Sequence, residues 1–281
     1  MHREADTEVA IARHYTTPAL MDRVRAALEA AGHDPSAPSP EALKPLDEFH
    51  TGGLEATEAL LSGLEIGPAT RVLDIGCGIG GTVRHVVGRH GCPTAGIDLT
   101  PQFVETAVAL SALAGNAPSL GFHVASALDL PFEDGAFDLA LMFHAGMNIE
   151  DKHALFAEAA RVLAPGGRFA LFDVMALDPA EPIVFPLPWS ARAETSFVAT
   201  PGAYLDAAAA AGLNLVAERP RGDFALAFFE KVFAHIAANG MPPLGIHLLM
   251  GEESAAEKLA NYVANVKAGR IAPVEMVFAK S

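Results

Sequence analysis

The chain has 281 residues, 51% of them hydrophobic, and a formal net charge of -15 at pH 7. This length suits one large α/β domain, or one domain with an accessory piece, and the apolar content can fill a sizeable core. Because nucleic acids and anionic membranes bind basic surfaces, the acidic balance and the lack of a Lys/Arg cluster argue against both and favour a small-molecule partner.

The cysteines and the N-terminus favour a cytoplasmic protein. Cys77 and Cys92 lie outside any CxxC or CxxxH spacing, so we expect neither a disulfide framework nor a bound metal. Residues 1–13 are charged and lack the apolar core of a signal peptide, and no uncharged run approaches the ~18 residues of a membrane span. We therefore predict cytoplasmic localisation.

Residues 1–50 are predicted to form an N-terminal helical extension. Leu20, Val24 and Leu28 recur at helical spacing, and a glycine after them is expected to end the helix. The prolines between residues 34 and 45 then predict a linker or a rigid loop. The stretch LDEFHTGG follows, and its two glycines allow close approach of the backbone.

A glycine-rich loop follows a predicted helix at 54–64. The sequence RVLDIGCGIGGT contains a short apolar strand, with Asp74 at its end and Gly76, Gly78 and Gly80 in the tight turn beyond it. An amphipathic helix comes next, so its free N–H groups would point back toward the loop. This arrangement predicts a nucleotide-type site.

The glycines alone do not identify the nucleotide, because Gly76, Gly78 and Gly81 also satisfy the dinucleotide pattern GxGxxG. A dinucleotide loop offers bare N–H groups to a pyrophosphate, which an acid at the end of the strand would repel. Asp74 is such an acid. It suits a ligand whose nearby group is cationic, such as the ammonium of a methionine moiety.

Asp98 closes the second predicted strand, 93–97, about 20 residues after the glycines. A carboxylate at this position can accept hydrogen bonds from both hydroxyls of a ribose. An isolated acid would more often be a solvated loop residue, but the spacing favours a role in ligand binding.

The DxGxGxG run, with an acid at the end of the next strand, resembles motif I of the class I S-adenosylmethionine-dependent methyltransferases. The resemblance extends from about residue 54 to 217 and to the final strand, and it is strongest for small-molecule enzymes of the sarcosine/dimethylglycine and ubiquinone-biosynthesis type. It implies an α/β, Rossmann-like sheet of seven strands, six parallel and one antiparallel, with helices on both faces. The methyltransferase domain would occupy residues 51–281.

The resemblance also implies S-adenosylmethionine as the cofactor and a set of residues that bind it. Ser126 departs from the family, which commonly has an Asp there that accepts from the adenine amino group. The segment LDEFHTGG would fold as a lid over the methionine end, or it would simply cap the helix after it. The implied cofactor-binding residues are Asp74, Gly76, Gly78, Gly80, Asp98, Leu99, Ser126, Ala127, Leu128 and Phe143.

The later elements bring acceptor-site candidates to the same edge. A buried strand at 136–143 delivers His144 and Asn148 beyond its carboxyl end, where ligands bind in open α/β sheets. His144 would act as a general base if the acceptor carries a proton, although a lone histidine is more often a structural hydrogen-bonding residue. Further helices are predicted at 101–114, 147–163 and 201–211, and further strands at 121–124, 164–174 and 213–217.

Two later segments are predicted to shape the acceptor pocket. The proline-rich stretch 176–199 is predicted to be a substrate-covering loop around Trp189, which would either face a cationic acceptor or fill the cover, and His50 would lie near the same site. Helices in 222–268 would form an insertion before the last strand, 273–280. A homodimer interface is the alternative role for this insertion.

The sequence therefore predicts an enzyme that transfers a methyl group from S-adenosylmethionine to a nitrogen or oxygen of a small-molecule acceptor. A nicotinamide-dependent oxidoreductase would keep the fold, but it requires Asp74 to tolerate a pyrophosphate. A catalytically silent S-adenosylmethionine-binding module, acting through the helical insertion, is the third hypothesis.

Overall fold

The structure is a computed structural model that describes residues 2–177, 182–250 and 252–281. In this part of the chain, the strands are β1 (Val72–Ile75), β2 (Thr94–Asp98), β3 (Phe122–Val124), β4 (Phe137–Phe143), β5 (Leu163–Ala176), β6 (Leu213–Pro220) and β7 (Ile271–Lys280). The helices are α1 (His2–Tyr15), α2 (Leu20–Ala30), α3 (Pro40–Asp47), α4 (Gly53–Leu61), α5 (Gly81–His90), α6 (Pro101–Leu113), α7 (Lys152–Val162), α8 (Pro201–Ala210), α9 (Gly222–Asn239), α10 (His247–Met250) and α11 (Glu252–Lys267).

The seven strands form one sheet in the order β3-β2-β1-β4-β5-β7-β6. Strand β7 runs antiparallel to both of its neighbours, and the other pairs are parallel. The predicted fold, with six parallel strands and one antiparallel strand, is confirmed. Because parallel strands end at the same edge, the residues after β1, β2 and β4 lie side by side.

The central strands are apolar because both faces of the sheet are covered. All four residues of β1 are buried, and six of the seven residues of β4 are buried, which is typical of a parallel sheet between two layers of helices. Local signals start the helices that follow. Pro101 occupies the first turn of α6, and the Asp151 side chain accepts from Ala154 N at the start of α7.

A second apolar core lies beyond the carboxyl edge of the sheet. Leu28 of α2 and Leu43 of α3 belong to the same buried cluster as Tyr15 of α1, Phe229 of α9 and Tyr262 of α11. The N-terminal extension thus packs with the helices that separate β6 from β7. We call helices α1–α3 and α9–α11 the cap.

The predicted linker at residues 34–45 is partly wrong, because α3 begins at Pro40. The Ser39 hydroxyl accepts from Ala42 N at 3.2 Å, and a proline in the first turn of a helix loses no hydrogen bond. Pro45 lies inside the helix, where burial of Leu43 and Leu46 offsets the lost N–H. The prolines of this stretch alone therefore do not show that a helix begins at Pro40.

Two further segments bear on the site. Helices α9–α11 lie between β6 and β7, which pair as antiparallel strands. Of the predicted covering loop 176–199, residues 178–181 fall outside the described residues, and residues 182–199 are irregular apart from a 3-10 turn at Ala193–Thr195. Within the described residues, no helix is both long and apolar enough to cross a membrane.

Candidate functional site

A cavity of about 870 Å³ lies between the carboxyl edge of the sheet and the cap. This volume is near the upper end of the range of ~300–1,000 Å³ for small-molecule sites. Its floor comes from the ends of β1, β2 and β4, and its roof comes from α1, the segment before α4, and α9–α11. The cavity is therefore large enough to hold two small molecules together.

The glycine loop forms part of the floor. Gly76 has φ 78° and Gly78 has φ 53°, which are left-handed conformations that favour glycine. A Cβ on Gly76 would lie 2.5 Å from the Cβ of Ala145. The first two motif glycines therefore allow the loop to turn and the segment after β4 to approach it.

Asp74 is the unpaired acid of this floor. Its side chain is 2% exposed and lines the cavity, and it makes no hydrogen bond with any described residue. Burial, together with the charges of Glu48 and Asp98, raises the pKa of Asp74 to about 8. A buried carboxyl without a partner is costly. Its position therefore suits a cation that enters from the cavity.

Asp98, in contrast, is held by the backbone. One carboxylate oxygen accepts from Gly78 N at 2.9 Å, and the other accepts from Thr100 N at 2.8 Å. Burial raises the pKa of Asp98, although these two hydrogen bonds oppose the shift. Each carboxylate oxygen has a second lone pair. The carboxylate is therefore fixed in position and can still accept from two hydroxyls.

The turn after β3 contacts the N-terminal helix. Ser126 Oγ donates to the Glu8 carboxylate of α1 and accepts from Leu128 N at 3.0 Å. Glu8 thus brings a carboxylate to the place where the sequence has a serine. Glu8 was not predicted from the sequence, because the first predicted helix is the one that contains Leu20, Val24 and Leu28, and the Ser126 departure is the only signal in this region.

A buried carboxylate–histidine pair lies in the roof. Glu48 Oε2 accepts from His50 Nε2 at 2.9 Å and from Thr57 Oγ1 at 2.8 Å. Burial raises the pKa of Glu48, but the hydrogen bond and charge of His50 outweigh it and lower the pKa to about 2. Because an ionised carboxylate only accepts, His50 Nε2 carries its hydrogen toward Glu48. The sequence analysis identified His50 but not Glu48.

His144 lies next to this pair. Its ring centroid is 5.9 Å from that of His50 and 4.9 Å from that of Phe172. Its backbone has φ 46°, and its N–H donates to Phe172 O at 2.8 Å. Among the described residues, its Nε2 has no hydrogen-bond partner. Burial, with the charge of His50, holds the pKa of His144 well below 6.5. Its imidazole is therefore neutral at pH 7.

Helix α1 closes over the segment after β4. The Asn148 amide donates to the Tyr15 hydroxyl at 3.0 Å, and that hydroxyl lies 3.3 Å from Asn148 Oδ1. The neighbouring His14 Nε2 donates to Pro188 O at 3.1 Å. These contacts join α1 to two residues that line the cavity, Asn148 and Pro188.

A buried network braces the segment that carries Asn148. The Lys152 ammonium donates to the carbonyls of Gly146 and Phe197 at 2.9 Å, and also to that of Ile149. Burial lowers the pKa of Lys152 to about 8. Asp173 accepts from the Tyr204 hydroxyl at 2.5 Å, and burial raises the pKa of Asp173 to about 6. The Lys152 ammonium and the Asp173 carboxyl therefore hydrogen-bond to the protein rather than to a ligand in the cavity.

One wall of the cavity is apolar, and we call it the apolar half. The Trp189 indole packs edge-on against Tyr262, with ring centroids 6.1 Å apart. Trp189 therefore contributes to the cavity wall. The apolar half consists of Trp189, Phe229, Leu249, Met250, Leu259 and Tyr262.

The structure brings almost every predicted site residue to this one cavity. Gly80 is the exception. It precedes α5 with φ 83°, and a Cβ there would lie 2.8 Å from the Phe122 ring. Gly80 therefore serves close packing of the loop against β3 and does not line the cavity.

Comparison with known proteins agrees with this geometry. Residues 73–171 match the family model described as a methyltransferase domain. Over 101 residues the chain is 43% identical to tocopherol O-methyltransferase of Arabidopsis thaliana, covering 36% of this chain and 29% of that protein. Over 102 residues it is 39% identical to ajmaline N-methyltransferase of Rauvolfia serpentina, and this match covers 36% of this chain and 35% of that protein. The chain thus spans about a third of the length of the curated relatives it matches.

Among solved structures, a suggested sarcosine dimethylglycine methyltransferase from Galdieria sulphuraria superimposes with a TM-score of 0.67. The match is 25% identical and covers 80% of this chain and 83% of that one. Unlike the curated relatives, this structure therefore matches most of the chain, including parts of it beyond residues 73–171.

Proposed function

Because the chain carries a class I S-adenosylmethionine-dependent methyltransferase domain, we propose that it transfers a methyl group from S-adenosylmethionine to a nitrogen or oxygen of a small-molecule acceptor. The observation that carries this proposal is the unpaired Asp74 carboxyl beneath the glycine loop. In its ionised form it offers a negative charge where the methionine ammonium would lie.

The other floor residues fit the rest of the cofactor. Asp98 is fixed by Gly78 N and Thr100 N and can accept from the ribose hydroxyls. Leu99, Ala127 and Leu128 line the cavity where the adenine would bind. A pyrophosphate would instead meet the Asp74 carboxyl, which argues against the nicotinamide-dependent alternative.

The cofactor supplies a methyl group on an activated sulfonium. The chain's own contribution is alignment and exclusion of water, since orientation can lower a barrier by several kcal/mol. Tyr15 and Asn148 close one side of the cavity, and the apolar half closes another. Both walls keep solvent from the place where the two ligands meet.

An acceptor that carries a proton on its nucleophile needs a base, and two histidines are candidates. His144 stays the base predicted from the sequence, but burial disfavours its charged form. His50 has a carboxylate partner in Glu48 that fixes its ring, and its Nδ1, the ring nitrogen turned away from Glu48, lies 3.3 Å from Thr51 O, a contact that the acceptor would have to replace. We therefore favour His50 as the base, with Glu48 as its positioning residue.

Replacing Glu48 with Gln is expected to lower kcat by roughly tenfold to 100-fold across the pH profile, since His50 loses the carboxylate that orients its ring. The assay uses an acceptor found by incubating labelled donor with a metabolite extract and measuring product masses. His144→Asn serves as the matched control and is expected to keep the shape of the profile. A larger loss in His144→Asn than in Glu48→Gln would return the base role to His144.

The cofactor assignment is tested by isothermal titration with S-adenosylmethionine and with NAD. We expect saturable one-to-one binding of S-adenosylmethionine and no binding of NAD, because Asp74 at the end of β1 disfavours a pyrophosphate. Tight binding of NAD alone would favour the oxidoreductase. Donor binding without transfer to any component of the extract would favour the silent module. Cytoplasmic localisation and a homodimer stay predictions from the sequence.

A further inference from the structure

We infer that the acceptor is an uncharged, largely apolar molecule whose body binds in the apolar half of the cavity. This inference rests on the proposed function, because it names the class of molecule that the same site would methylate. It depends on the side chains that form the apolar half and on the charges that line the rest of the cavity.

The apolar half presents ring and aliphatic surface to the cavity. Its aromatic polar groups are turned to the protein, since Trp189 Nε1 donates to Ser196 Oγ at 2.9 Å and the Tyr262 hydroxyl hydrogen-bonds with Thr51 Oγ1 at 2.8 Å. Phe229 and Leu249 are 4% and 2% exposed although they line a cavity. A polar ligand would lose its water here without gaining partners.

Among the described residues, the lining also lacks a free Lys or Arg side chain for an anionic acceptor. Within the described residues, Lys152 is the single Lys or Arg side chain that lines the cavity. Its ammonium already donates to three backbone carbonyls. Phosphates and carboxylates are normally bound by Arg, Lys or several N–H donors. A phosphorylated acceptor, or an amino acid with a free carboxylate, therefore finds no free Lys or Arg among the described residues of this cavity.

The carboxylates of the cavity strengthen this exclusion. Glu8, Asp74 and Asp98 line the side predicted to bind the cofactor, and in their ionised forms they would repel an anion. Polar groups that could orient the nucleophile, namely His50 and Asn148, lie in the roof and in the segment after β4. The acceptor would place one polar atom there and its apolar body among the cap helices.

The inference is tested by tryptophan fluorescence, because Trp189 is the one tryptophan of the chain and lines the apolar half. Octyl 4-hydroxybenzoate serves as the uncharged apolar probe, sarcosine as the zwitterion and phosphoethanolamine as the anion. Each is titrated with and without saturating S-adenosylhomocysteine. We expect saturable quenching by the apolar phenol and no saturable change with the other two.

A pair of variants on α9 separates the cavity wall from the protein surface. Phe229→Ala is expected to weaken binding of the phenol by at least about fivefold, since it removes a wall of the apolar half. Phe233→Ala makes the same change at a side chain that is 37% exposed, and its affinity should stay within about twofold of the unchanged chain. Circular dichroism of both variants checks that they fold.

Failure of the phenol to quench, tighter binding of sarcosine or phosphoethanolamine, or equal effects of the two variants would overturn the inference. Parallel titration of S-adenosylhomocysteine by calorimetry keeps the two proposals apart. If it binds while the phenol fails, only the acceptor class is wrong. If it does not bind, the proposed function fails, while the phenol titration without it still decides whether the apolar half binds uncharged molecules.

Discussion

Asp74→Asn is expected to weaken binding of S-adenosylmethionine by about tenfold to 100-fold, because a charge-assisted hydrogen bond to the ligand ammonium contributes roughly 1.5–3 kcal/mol. The side chain keeps its size, so the glycine loop should keep its shape. Calorimetric titration at pH 7.5 measures the loss. Asp22→Asn removes the same charge from an exposed position of α2 and is the matched control.

The same carboxyl predicts how affinity depends on pH. With a pKa of about 8, Asp74 is mostly protonated at pH 6.5 in the free chain, whereas the ligand ammonium pairs with the ionised form. Binding at pH 6.5 should therefore release close to one proton, and affinity should rise from pH 6 to 7.5. Titration in buffers of different ionisation enthalpy counts the proton. An equal proton count in Asp74→Asn would show that another group is responsible.

Asp74 should also lower the stability of the free chain. Its folded pKa of about 8 exceeds the ordinary value of 3.8, so the folded state binds the extra proton and stability falls as pH rises from 4 to 8. Because Asn cannot ionise, Asp74→Asn should flatten this part of the stability profile while it weakens ligand binding. A variant that loses both affinity and stability would instead indicate general damage to the fold.

Arg84→Met is expected to destabilise the fold by about 3–5 kcal/mol, since it leaves the buried Asp47 carboxylate without its cation. Arg84 is 2% exposed and pairs with Asp47 of α3. It also donates to Ile79 O at 2.7 Å and to Ser111 Oγ at 3.1 Å. The pair joins the N-terminal extension to α5, directly after the glycine loop. Equilibrium unfolding in urea measures the effect.

Another arginine of the same helix provides the control. Arg89 lies 4.0 Å from Glu58 in an ion pair whose side chains are both at least half exposed, and Arg89→Met should change stability by no more than ~0.5 kcal/mol. The double replacement Arg84→Met with Asp47→Leu should recover part of the loss, because no charge is left unpaired. Equal effects of Arg84→Met and Arg89→Met would show that the buried pair does not hold the cap.

The floor of the cavity was predictable from the sequence because its signals are local. Asp74, the glycines and Asp98 occur at short spacings at the ends of apolar strands. The parallel sheet then places these strand ends at one edge, whatever covers them. Gly80 packs against Phe122 and does not line the cavity, which its spacing in the motif does not reveal.

The roof was harder to predict because it depends on contacts between distant residues. Glu8 meets Ser126 across 118 positions of the chain, and Tyr15 meets Asn148 across 133. Helix α1 is rich in charged residues, so its sequence does not reveal that Ile11 and Tyr15 are buried. Glu48 is two residues from His50, but only the folded chain shows that the two side chains pair beside Thr57.

The most direct measurement is a crystal structure of the chain with S-adenosylhomocysteine. We predict that the amino group of the ligand lies within hydrogen-bond distance of Asp74 and that Asp98 accepts from both ribose hydroxyls. The adenine should lie against Leu99 and Leu128. A ligand bound elsewhere, or one seated in the cavity with neither carboxylate in contact, would contradict the account.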